Sequence, residues 1–338
     1  MSITTASVTR SIDPHIVKLL EVVLPDLQAV EERIQQEISS PVHTIWSLSG
    51  HVLSSGGKRL RPALVCLSAY ATGLPVNRSR LIPLAAAAEL MHTATLIHDD
   101  VVDNTTTRRG RPTASALFGN GVTVITGDYL LAKVMSLLAE DGSIEIIRTV
   151  SQVALEMSEG EVLQMLHKAD VSISEQTYFD IIRKKTAVFI QGCCRTGALA
   201  AQAPPETVEA LGRYGFHIGM AFQLADDLLD YIGNPARMGK PVGSDLREGK
   251  FTLPLIIALR EATPADHKRL LQIVESPVND GEIQQVVEII RRYNGFAQTQ
   301  AVAAYHARQA AESLVLLPPS VIRESLTALC DYIVEREV

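Results

Sequence analysis

The chain has 338 residues, of which 46% are hydrophobic, 20% are charged and only 5% are aromatic. This length allows one domain or two, and few aromatics among many helix formers favour helices over a β-sandwich. The formal net charge of −7 argues against nucleic acid as the main partner, because nucleic-acid phosphates select basic proteins.

The cysteines and the N-terminus predict the compartment. Cys66, Cys193, Cys194 and Cys330 form no CxxC pair, so we interpret them as small buried side chains in a reducing environment. The first residues lack the apolar core of a signal peptide. No uncharged apolar run approaches the roughly 18 residues of a spanning helix. We therefore expect a cytoplasmic protein without a transmembrane segment.

Apolar residues recur at helical spacing along nearly the whole chain, with interruptions at Gly and Pro. We predict an all-α fold, including the β-branched run 122–126. Patterns of helix N-termini occur at Thr263–Asp266 and, as a capping box, at Ser172–Glu175. The predicted helices are 14–39, 43–54, 60–72, 79–103, 121–139, 143–168, 174–200, 205–232, 250–262, 264–274, 279–292, 296–316 and 320–336.

A DDxxD pentad occurs twice, at Asp99–Asp103 and at Asp226–Asp230, each at the end of an apolar helix. The first and last aspartates of a helical pentad lie on one face. Such carboxylates repel each other unless cations lie between them, and oxygen ligands without Cys or His suit Mg²⁺ bound to phosphate. One pentad alone is more typical of a solvated helix end. If both serve one site, the chain cannot be divided between them, so we predict a single domain, residues 1–338.

Four basic clusters accompany the pentads, at residues 56–62, 108–113, 184–186 and 239–250. Glycines allow close backbone approach, helix starts favour anions, and arginine binds phosphate oxygens bidentately. Any one cluster is also typical of solvated surface. Their alternation with two acidic pentads favours a metal–diphosphate site, with 239–250 as a candidate lid.

These residues resemble the trans-isoprenyl diphosphate synthases over nearly the whole chain. The motifs are GGKRLRP, LIHDDVVD, RRGRPT, GDYLLA, KTA, FQLADDLLDY and GKPVGSDLREGKFTLP. The details, including HDDVVDNTTTRRGRPT, EGEVLQ and the C-terminal pattern, look most like the bacterial octaprenyl diphosphate synthases. The resemblance implies a bundle of long antiparallel helices around a deep central cavity. It also implies a prenyltransferase that adds isopentenyl diphosphate to an allylic diphosphate such as farnesyl diphosphate. The implied product is all-trans octaprenyl diphosphate, a quinone side-chain precursor; other lengths, or a catalytic subunit of a heteromeric synthase, remain open.

The resemblance also implies the site residues, and about three Mg²⁺ ions with substrate bound. Magnesium would be held by Asp99 and Asp103 with Asp100, and by Asp226 with Asp227 and Asp230. Isopentenyl diphosphate would be bound by Lys58, Arg61, His92 and Arg109. The allylic diphosphate would be bound by Arg108, Lys185, Thr186, Gln223 and Lys240, with Lys250 closing over it. Catalysis would depend most directly on Asp99, Asp103, Arg108, Lys185, Asp226 and Lys240.

Two of these residues also have a plain structural interpretation. His92 lies two turns before Asp99, and Gln223 lies one turn before Asp226, so each shares a face with a pentad. Either could instead be an ordinary core residue. We interpret His98, beside Asp99, as structural.

Product length should depend on the wall below the first pentad. Short-product members of the family carry a bulky aromatic residue four or five positions before the first Asp, where this chain has Thr95 and Ala94. Removing a bulky side chain one helical turn before the pentad deepens the cavity by about 5.4 Å. The small residues here therefore predict a deep tunnel, with Leu131, Val134 and Leu138 as the next layer of its wall. The small residues could instead serve only close helix packing.

The remaining expectations concern the oligomeric state, the release of the product and two alternative functions. By analogy with the family we expect a homodimer through residues 121–139 and 143–168, and release of the product near a membrane surface. A class I terpene cyclase would carry an Asn/Ser/Glu metal motif and no second diphosphate site. A regulatory subunit should have lost aspartates or arginines, and none is missing here.

Overall fold

The structure, a computed structural model, describes residues 19–56, 59–108, 110–233, 241–275 and 278–335. Helices make up most of these residues, so the all-α prediction is confirmed. They are α1 Leu24–Glu37, α2 His43–Ser54, α3 Leu60–Ala71, α4 Arg78–Val102, α5 Ala114–Phe118, α6 Asn120–Asp141, α7 Ile144–Leu166, α8 Glu175–Ile182, α9 Val188–Ala200, α10 Pro205–Ile232, α11 Ser244–Arg247, α12 Leu253–Glu261, α13 Pro264–Val274, α14 Asp280–Arg292, α15 Gly295–Ser313 and α16 Val321–Glu335.

Short elements of three kinds accompany the α-helices. The strands β1 Thr107–Arg108 and β2 Arg111–Pro112 form an antiparallel hairpin, and residues Arg183–Ala187 form a π turn. The segments Glu21–Val23 and Leu314–Leu316 are 3₁₀ turns. The predicted start of the first helix, at residue 14, lies outside the described residues.

The chain divides into two compact units, each built from separated segments. Unit 1 comprises Met1–Val150, Gly192–Gly212 and Val315–Leu329. Unit 2 comprises Ser151–Gln191, Arg213–Leu314 and Cys330–Val338. The first pentad therefore belongs to unit 1 and the second to unit 2.

In unit 1, α4 packs against α6, and a glycine lies at the contact. A Cβ atom at Gly127 would lie 2.3 Å from Nε2 of His98, so the imidazole would have to move to admit a larger residue. His98 Nε2 also lies 3.1 Å from the backbone oxygen of Val124. This packing contact supports the structural interpretation of His98.

The helices α4 and α6 are long and apolar enough to cross a membrane by length and composition. Core helices of globular proteins share that property, and 61% of the apolar window of α4 is buried. The absence of a transmembrane segment therefore stays a prediction.

The local predictions were confirmed in two cases and wrong in one. Thr263 caps α13, because its side chain accepts the N–H of Asp266. All four cysteines are buried and unpaired by disulfides. The cap of α8 is Ser174, whose Oγ accepts the N–H of Thr177 at 3.0 Å, and not the predicted Ser172. The backbone N–H and the hydroxyl of Ser172 instead donate to the Asp170 carboxylate. Because its hydroxyl is engaged there, Ser172 does not cap α8.

A histidine pair joins α10 and α15 in unit 2. The Nδ1 atoms of His217 and His306 lie 2.9 Å apart, and the ring of Phe216 meets both imidazoles edge-on. One ring must donate the hydrogen and the other must accept it, so both cannot be charged. Burial and the neighbouring His217 lower the pKa of His306 from 6.5 to about 4. Burial and Arg213 lower the pKa of His217, which Glu312 opposes.

This pair predicts a loss of stability in mild acid. Because the folded-state pKa of His306 lies below its unfolded value, its stabilising effect is present above pH 6.5 and is lost as the pH falls toward 4. We expect the free energy of unfolding to fall by about 1 kcal/mol more in the wild type than in His306→Gln between pH 7 and pH 5. Urea titrations with His43→Gln as a control check this; equal pH dependence of wild type and His306→Gln would contradict it.

Candidate active site

The first pentad lies at the C-terminal end of α4. Asp103 follows the last helical residue, and its N–H donates to the backbone oxygen of Asp99 at 2.8 Å, so the two side chains remain one turn apart. Asp99 and Asp103 are half-buried, whereas Asp100 is only 2% exposed. The pentad thus combines two accessible carboxylates with one buried carboxylate.

Arg108 on the β-hairpin neutralises that buried carboxylate. Its Nε donates to Oδ1 of Asp100 at 2.8 Å. The loop between α4 and the hairpin is fixed by two further bonds: the N–H of Thr105 donates to the Asp100 backbone oxygen at 3.0 Å, and the Thr113 hydroxyl donates to the Thr105 oxygen at 2.7 Å. Arg108 therefore stands beside the pentad, as predicted, while Arg109 lies outside the described residues.

A second basic cluster of unit 1 begins α3. Arg59 adopts a left-handed backbone conformation, φ 46°, and its guanidinium bonds Glu31 and the Glu89 carboxylate, the latter at 2.6 Å. Both glutamates are buried, so Arg59 is committed to holding the turn before α3. Arg61 follows on the first turn of α3 and is half-buried. Lys58 lies outside the described residues.

His92 and the predicted chain-length wall also belong to unit 1. His92 is half-buried on α4, and its backbone oxygen accepts the hydroxyl of Thr95 at 2.8 Å. Ala94 is completely buried, and Val134 and Leu138 on α6 are nearly so. Thr95 and Leu131 are half-buried. The roles predicted for these residues stay predictions.

The second pentad, near the C-terminal end of α10, distributes its carboxylates differently. Asp226 is exposed, whereas Asp227 and Asp230 are 3% and 0% exposed. The Tyr178 hydroxyl donates to Oδ2 of Asp227 at 2.5 Å, and Gln223 Nε2 donates to Oδ1 at 2.8 Å. Burial, with the nearby Asp245 carboxylate, raises the pKa of Asp227 well above its usual range, and the two hydrogen bonds oppose this shift.

Asp230 anchors the loop that follows the second pentad. Its Oδ2 accepts the backbone N–H of Asp245 at 3.0 Å, and its backbone oxygen accepts the N–H of Gly243 at 2.7 Å. Within unit 2 these bonds hold residues 241–250 against the end of α10. The predicted ligand Lys240 lies outside the described residues, whereas Lys250 at the other end of the loop is described.

The predicted allylic-diphosphate residues of unit 2 meet around one cavity of about 190 Å³. Lys185, Thr186, Gln223 and Lys250 all line it, and the Thr186 hydroxyl donates to Oε1 of Gln223 at 2.7 Å. Asp227 lies in the same wall. Two ammonium groups, a hydroxyl and an amide thus converge beside the second pentad, a donor set suited to a phosphate. The remaining lining residues are Gln164, His167, Ile173, Tyr178, Ile181, Ile182, Asp245, Gly249, Phe251 and Thr252.

The π turn presents Lys185 and Thr186 to this cavity. The sequence predicted one uninterrupted helix over 174–200, and that part of the prediction is wrong. Lys185 Nζ lies 2.5 Å from both Glu161 and Gln164 of α7, and Lys184 pairs with Glu159. Turns of this kind concentrate at functional sites.

The six aspartates of the two pentads differ in how well they fit a divalent ion. Among the described residues, no group of three or more His, Cys, Asp or Glu side chains forms a ready-made metal cage. Mg²⁺ requires none, because it is usually held by one or two carboxylates, waters and substrate phosphates. The accessible Asp99, Asp103 and Asp226 fit this mode. Asp100, Asp227 and Asp230 are buried and bonded to protein groups, which suits supporting positions.

Comparison with known proteins defines the class of this site. The sequence pattern of the family described as polyprenyl synthetase matches residues 43–290. The chain is 35% identical over 320 residues to octaprenyl diphosphate synthase of Escherichia coli, which covers 95% of this chain and 98% of the relative. It is 36% identical over 315 residues to short chain isoprenyl diphosphate synthase of Methanothermobacter thermautotrophicus, covering 92% and 96%.

A solved structure agrees with these relatives. The polyprenyl synthase of Caulobacter crescentus, complexed with calcium and isoprenyl diphosphate, superposes with a TM-score of 0.90 at 34% identity, covering 96% of this chain and 98% of that one. The fold and these relatives therefore define an all-α prenyltransferase. The chain belongs to the polyprenyl synthetase family.

Three residues of the site were missed by the sequence reasoning. Tyr178, Asp245 and His167 line the cavity of unit 2. Asp245 lies within the motif GKPVGSDLREGKFTLP, which we interpret from the sequence as a basic loop. Tyr178 is separated by 49 residues from its partner Asp227. Only the tertiary fold reveals such pairs.

The Tyr178–Asp227 bond predicts a specific kinetic defect. Tyr178→Phe leaves the ring but removes the donor to Asp227, so Asp227 and its partner Gln223 lose their orientation. We expect kcat/KM for the allylic substrate to fall about tenfold, and the thermal unfolding midpoint to fall as well, because the buried carboxylate loses one of its donors. Steady-state kinetics with Tyr305→Phe, at an exposed position, as the control check this. An unchanged kcat/KM would show that the hydrogen bond does not position the cavity wall.

Proposed function

We propose that this enzyme elongates an allylic diphosphate with successive isopentenyl diphosphate units in an Mg²⁺-dependent reaction. The product assigned here is a long all-trans chain, octaprenyl diphosphate. The observation that carries this proposal is the cavity of unit 2, where Lys185, Thr186, Gln223 and Lys250 converge beside a carboxylate pentad. The alignment with an octaprenyl diphosphate synthase over nearly both whole chains supports the product class.

In this proposal the polar side chains bind and orient the diphosphate leaving group. Lys185 and Lys250 offset its charge, while Thr186 and Gln223 fix its orientation through their mutual hydrogen bond. When bound, Mg²⁺ supplies Lewis acidity that stabilises the charge of the departing pyrophosphate. Asp99, Asp103 and Asp226 would hold about three such ions, with Asp100, Asp227 and Asp230 in support.

The carbon chemistry follows from this arrangement. After the allylic C–O bond ionises, the double bond of isopentenyl diphosphate attacks the carbocation, and loss of a proton restores an alkene. The released pyrophosphate accepts that proton. Arg61 and His92, with Lys58 and Arg109, would bind isopentenyl diphosphate. Lys250 would help to exclude water, which would otherwise convert the carbocation to an alcohol.

The direct test is elongation by the purified protein. We expect farnesyl diphosphate, labelled isopentenyl diphosphate and Mg²⁺ to give a ladder of all-trans products, and EDTA to abolish it. Asp103→Asn should reduce kcat at least about 100-fold by weakening metal binding, while Asp331→Asn, an exposed carboxylate on α16, should not. Cyclised hydrocarbons from farnesyl diphosphate alone would indicate a terpene cyclase. Elongation only after a partner is added would indicate a subunit of a heteromeric synthase.

Product length is proposed to depend on small residues on α4. Ala94 is completely buried, so a tyrosine there must project into whatever space its neighbours leave. We expect Ala94→Tyr to shorten the product ladder while the first condensation continues, at a stability cost of about 1–3 kcal/mol.

Chromatography of the dephosphorylated products measures this effect. Ala139→Tyr, an exposed position on α6, is the matched control and should leave the ladder unchanged. If Ala94→Tyr made products of wild-type length, the tunnel assignment would be wrong and Ala94 would serve only helix packing.

A homodimer in the cytoplasm, with product release at a membrane surface, completes the proposal. Exposed aliphatic side chains support an interface: on α6, Ile125 and Met135 are 62% and 69% exposed. On α7, Leu155 and Leu166 are 61% and 74% exposed. Exposed aliphatic surface of this kind favours burial against another copy of the chain.

A further inference from the structure

A histidine–aspartate pair borders the cavity of unit 2, immediately after α7. Nδ1 of His167 lies 2.8 Å from Oδ2 of Asp170, and the ring lines the cavity beside Lys185 and Lys250. Because Nδ1 is engaged by the carboxylate, Nε2 is the nitrogen through which this ring can bind a ligand. The proposed mechanism assigns no task to this residue.

Asp170 is itself held in place. Its Oδ1 accepts the backbone N–H of Ser172 at 2.9 Å and the Ser172 hydroxyl at 2.6 Å. These bonds and the contact with His167 lower the pKa of Asp170 to about 2. The carboxylate is therefore an acceptor at any working pH, and it holds the ring of His167 through the hydrogen on Nδ1.

The turn that carries the pair is fastened to the loop that carries Lys250. Ala169 adopts a left-handed conformation, φ 58°, which costs a non-glycine residue energy. In this conformation its N–H donates to the backbone oxygen of Gly249 at 2.8 Å. Gly249 also has a positive φ, 73°. This hydrogen bond thus joins the turn after α7, which carries His167, to the loop that carries Lys250. Both residues line the same cavity.

The charges around the cavity favour an additional donor. Lys185 and Lys250 already pair with Glu161 at 2.5 Å and Glu248 at 2.8 Å. Asp227 and Asp245 add acidic groups to the wall. A diphosphate that enters must share both lysines with carboxylates. His167 can supply a further N–H from Nε2 when both of its ring nitrogens carry hydrogens.

We propose that His167 contacts the substrate, donating a hydrogen bond from Nε2 to the diphosphate of the allylic substrate, and that Asp170 is the positioning residue that orients its ring. This inference rests on the proposed function, because it assigns a new residue to the proposed allylic site. The competing interpretation is a local contact that only ends α7, and such a contact would affect stability alone.

The test compares four variants by steady-state kinetics. His167→Phe removes both ring nitrogens, whereas His167→Gln keeps a donor that partly reaches the Nε2 position. Asp170→Asn keeps the shape but weakens the orientation of the ring. His267→Gln is the matched control, because His267 also lies in unit 2 and bonds a backbone oxygen, that of Leu259, away from this cavity.

We expect His167→Phe to raise KM for the allylic diphosphate about tenfold while KM for isopentenyl diphosphate is unchanged. His167→Gln should recover part of the loss, and Asp170→Asn should show an intermediate increase. A lower unfolding midpoint with both KM values unchanged would overturn the inference.

A binding experiment separates failure of this inference from failure of the proposed function. Calorimetric titration with inorganic pyrophosphate and Mg²⁺ needs no turnover. If the wild type does not elongate prenyl chains, a roughly tenfold weaker affinity in His167→Phe would still support an anion contact at His167. Equal affinity in the wild type and His167→Phe would overturn it, whatever the outcome of the elongation assay.

Discussion

Repulsion between neighbouring carboxylates is the constraint on which both pentads depend. Three aspartates within five residues at the end of an apolar helix disfavour folding unless their charge is compensated. In each pentad the second aspartate is buried and compensated by the protein. Asp100 receives the guanidinium of Arg108, and Asp227 receives hydrogen bonds from Tyr178 and Gln223. The more accessible carboxylates are those of Asp99, Asp103 and Asp226, which are the metal ligands that we propose.

This division between buried and accessible aspartates explains why hydrogen bonds fix the segments that flank each pentad. The hairpin that carries Arg108 is bonded to the end of α4 through Thr105 and Thr113. The loop after α10 is bonded to Asp230 through Gly243 and Asp245. The π turn holds Lys185 and Thr186 at the cavity through contacts with α7. In each unit the buried aspartates link neighbouring elements to a pentad, while the more accessible aspartates remain for the proposed metal binding.

The sequence predicted the helices well because their signals are local. Helices α2, α10 and α13 begin and end at the predicted residues, since Gly, Pro and capping residues stand at their ends. The hairpin at 107–112 was missed because two-residue strands show no alternation. The π turn was missed because a one-turn change of helix type leaves no mark on the hydrophobic periodicity; Lys184 in this turn packs closely on α7, where a Cβ at Gly160 would lie 2.7 Å from the Cβ of Lys184. Ser172 was wrongly predicted as the cap of α8 because its hydroxyl donates to Asp170 instead.

Site residues were predictable where a charged or polar residue lies within a sequence motif. They were unpredictable where the two partners of a contact lie far apart in the sequence. Lys185, Thr186, Gln223 and Lys250 do meet around one cavity. The commitment of Arg59 to Glu31 and Glu89 could not be read from a basic motif, because those partners lie 28 and 30 residues away. The same holds for Tyr178 with Asp227. The predicted roles of Lys58, Arg109 and Lys240 concern residues outside the described ranges.

The most direct test is a crystal structure of the enzyme with Mg²⁺ and an unreactive thio-analogue of the allylic diphosphate. The account predicts metal ions on Asp99, Asp103 and Asp226 that also contact the diphosphate, with Asp100 still on Arg108 and Asp227 still on Tyr178. A diphosphate bound without metal on either pentad, or metal ions held by Asp100 and Asp227 instead, would contradict it.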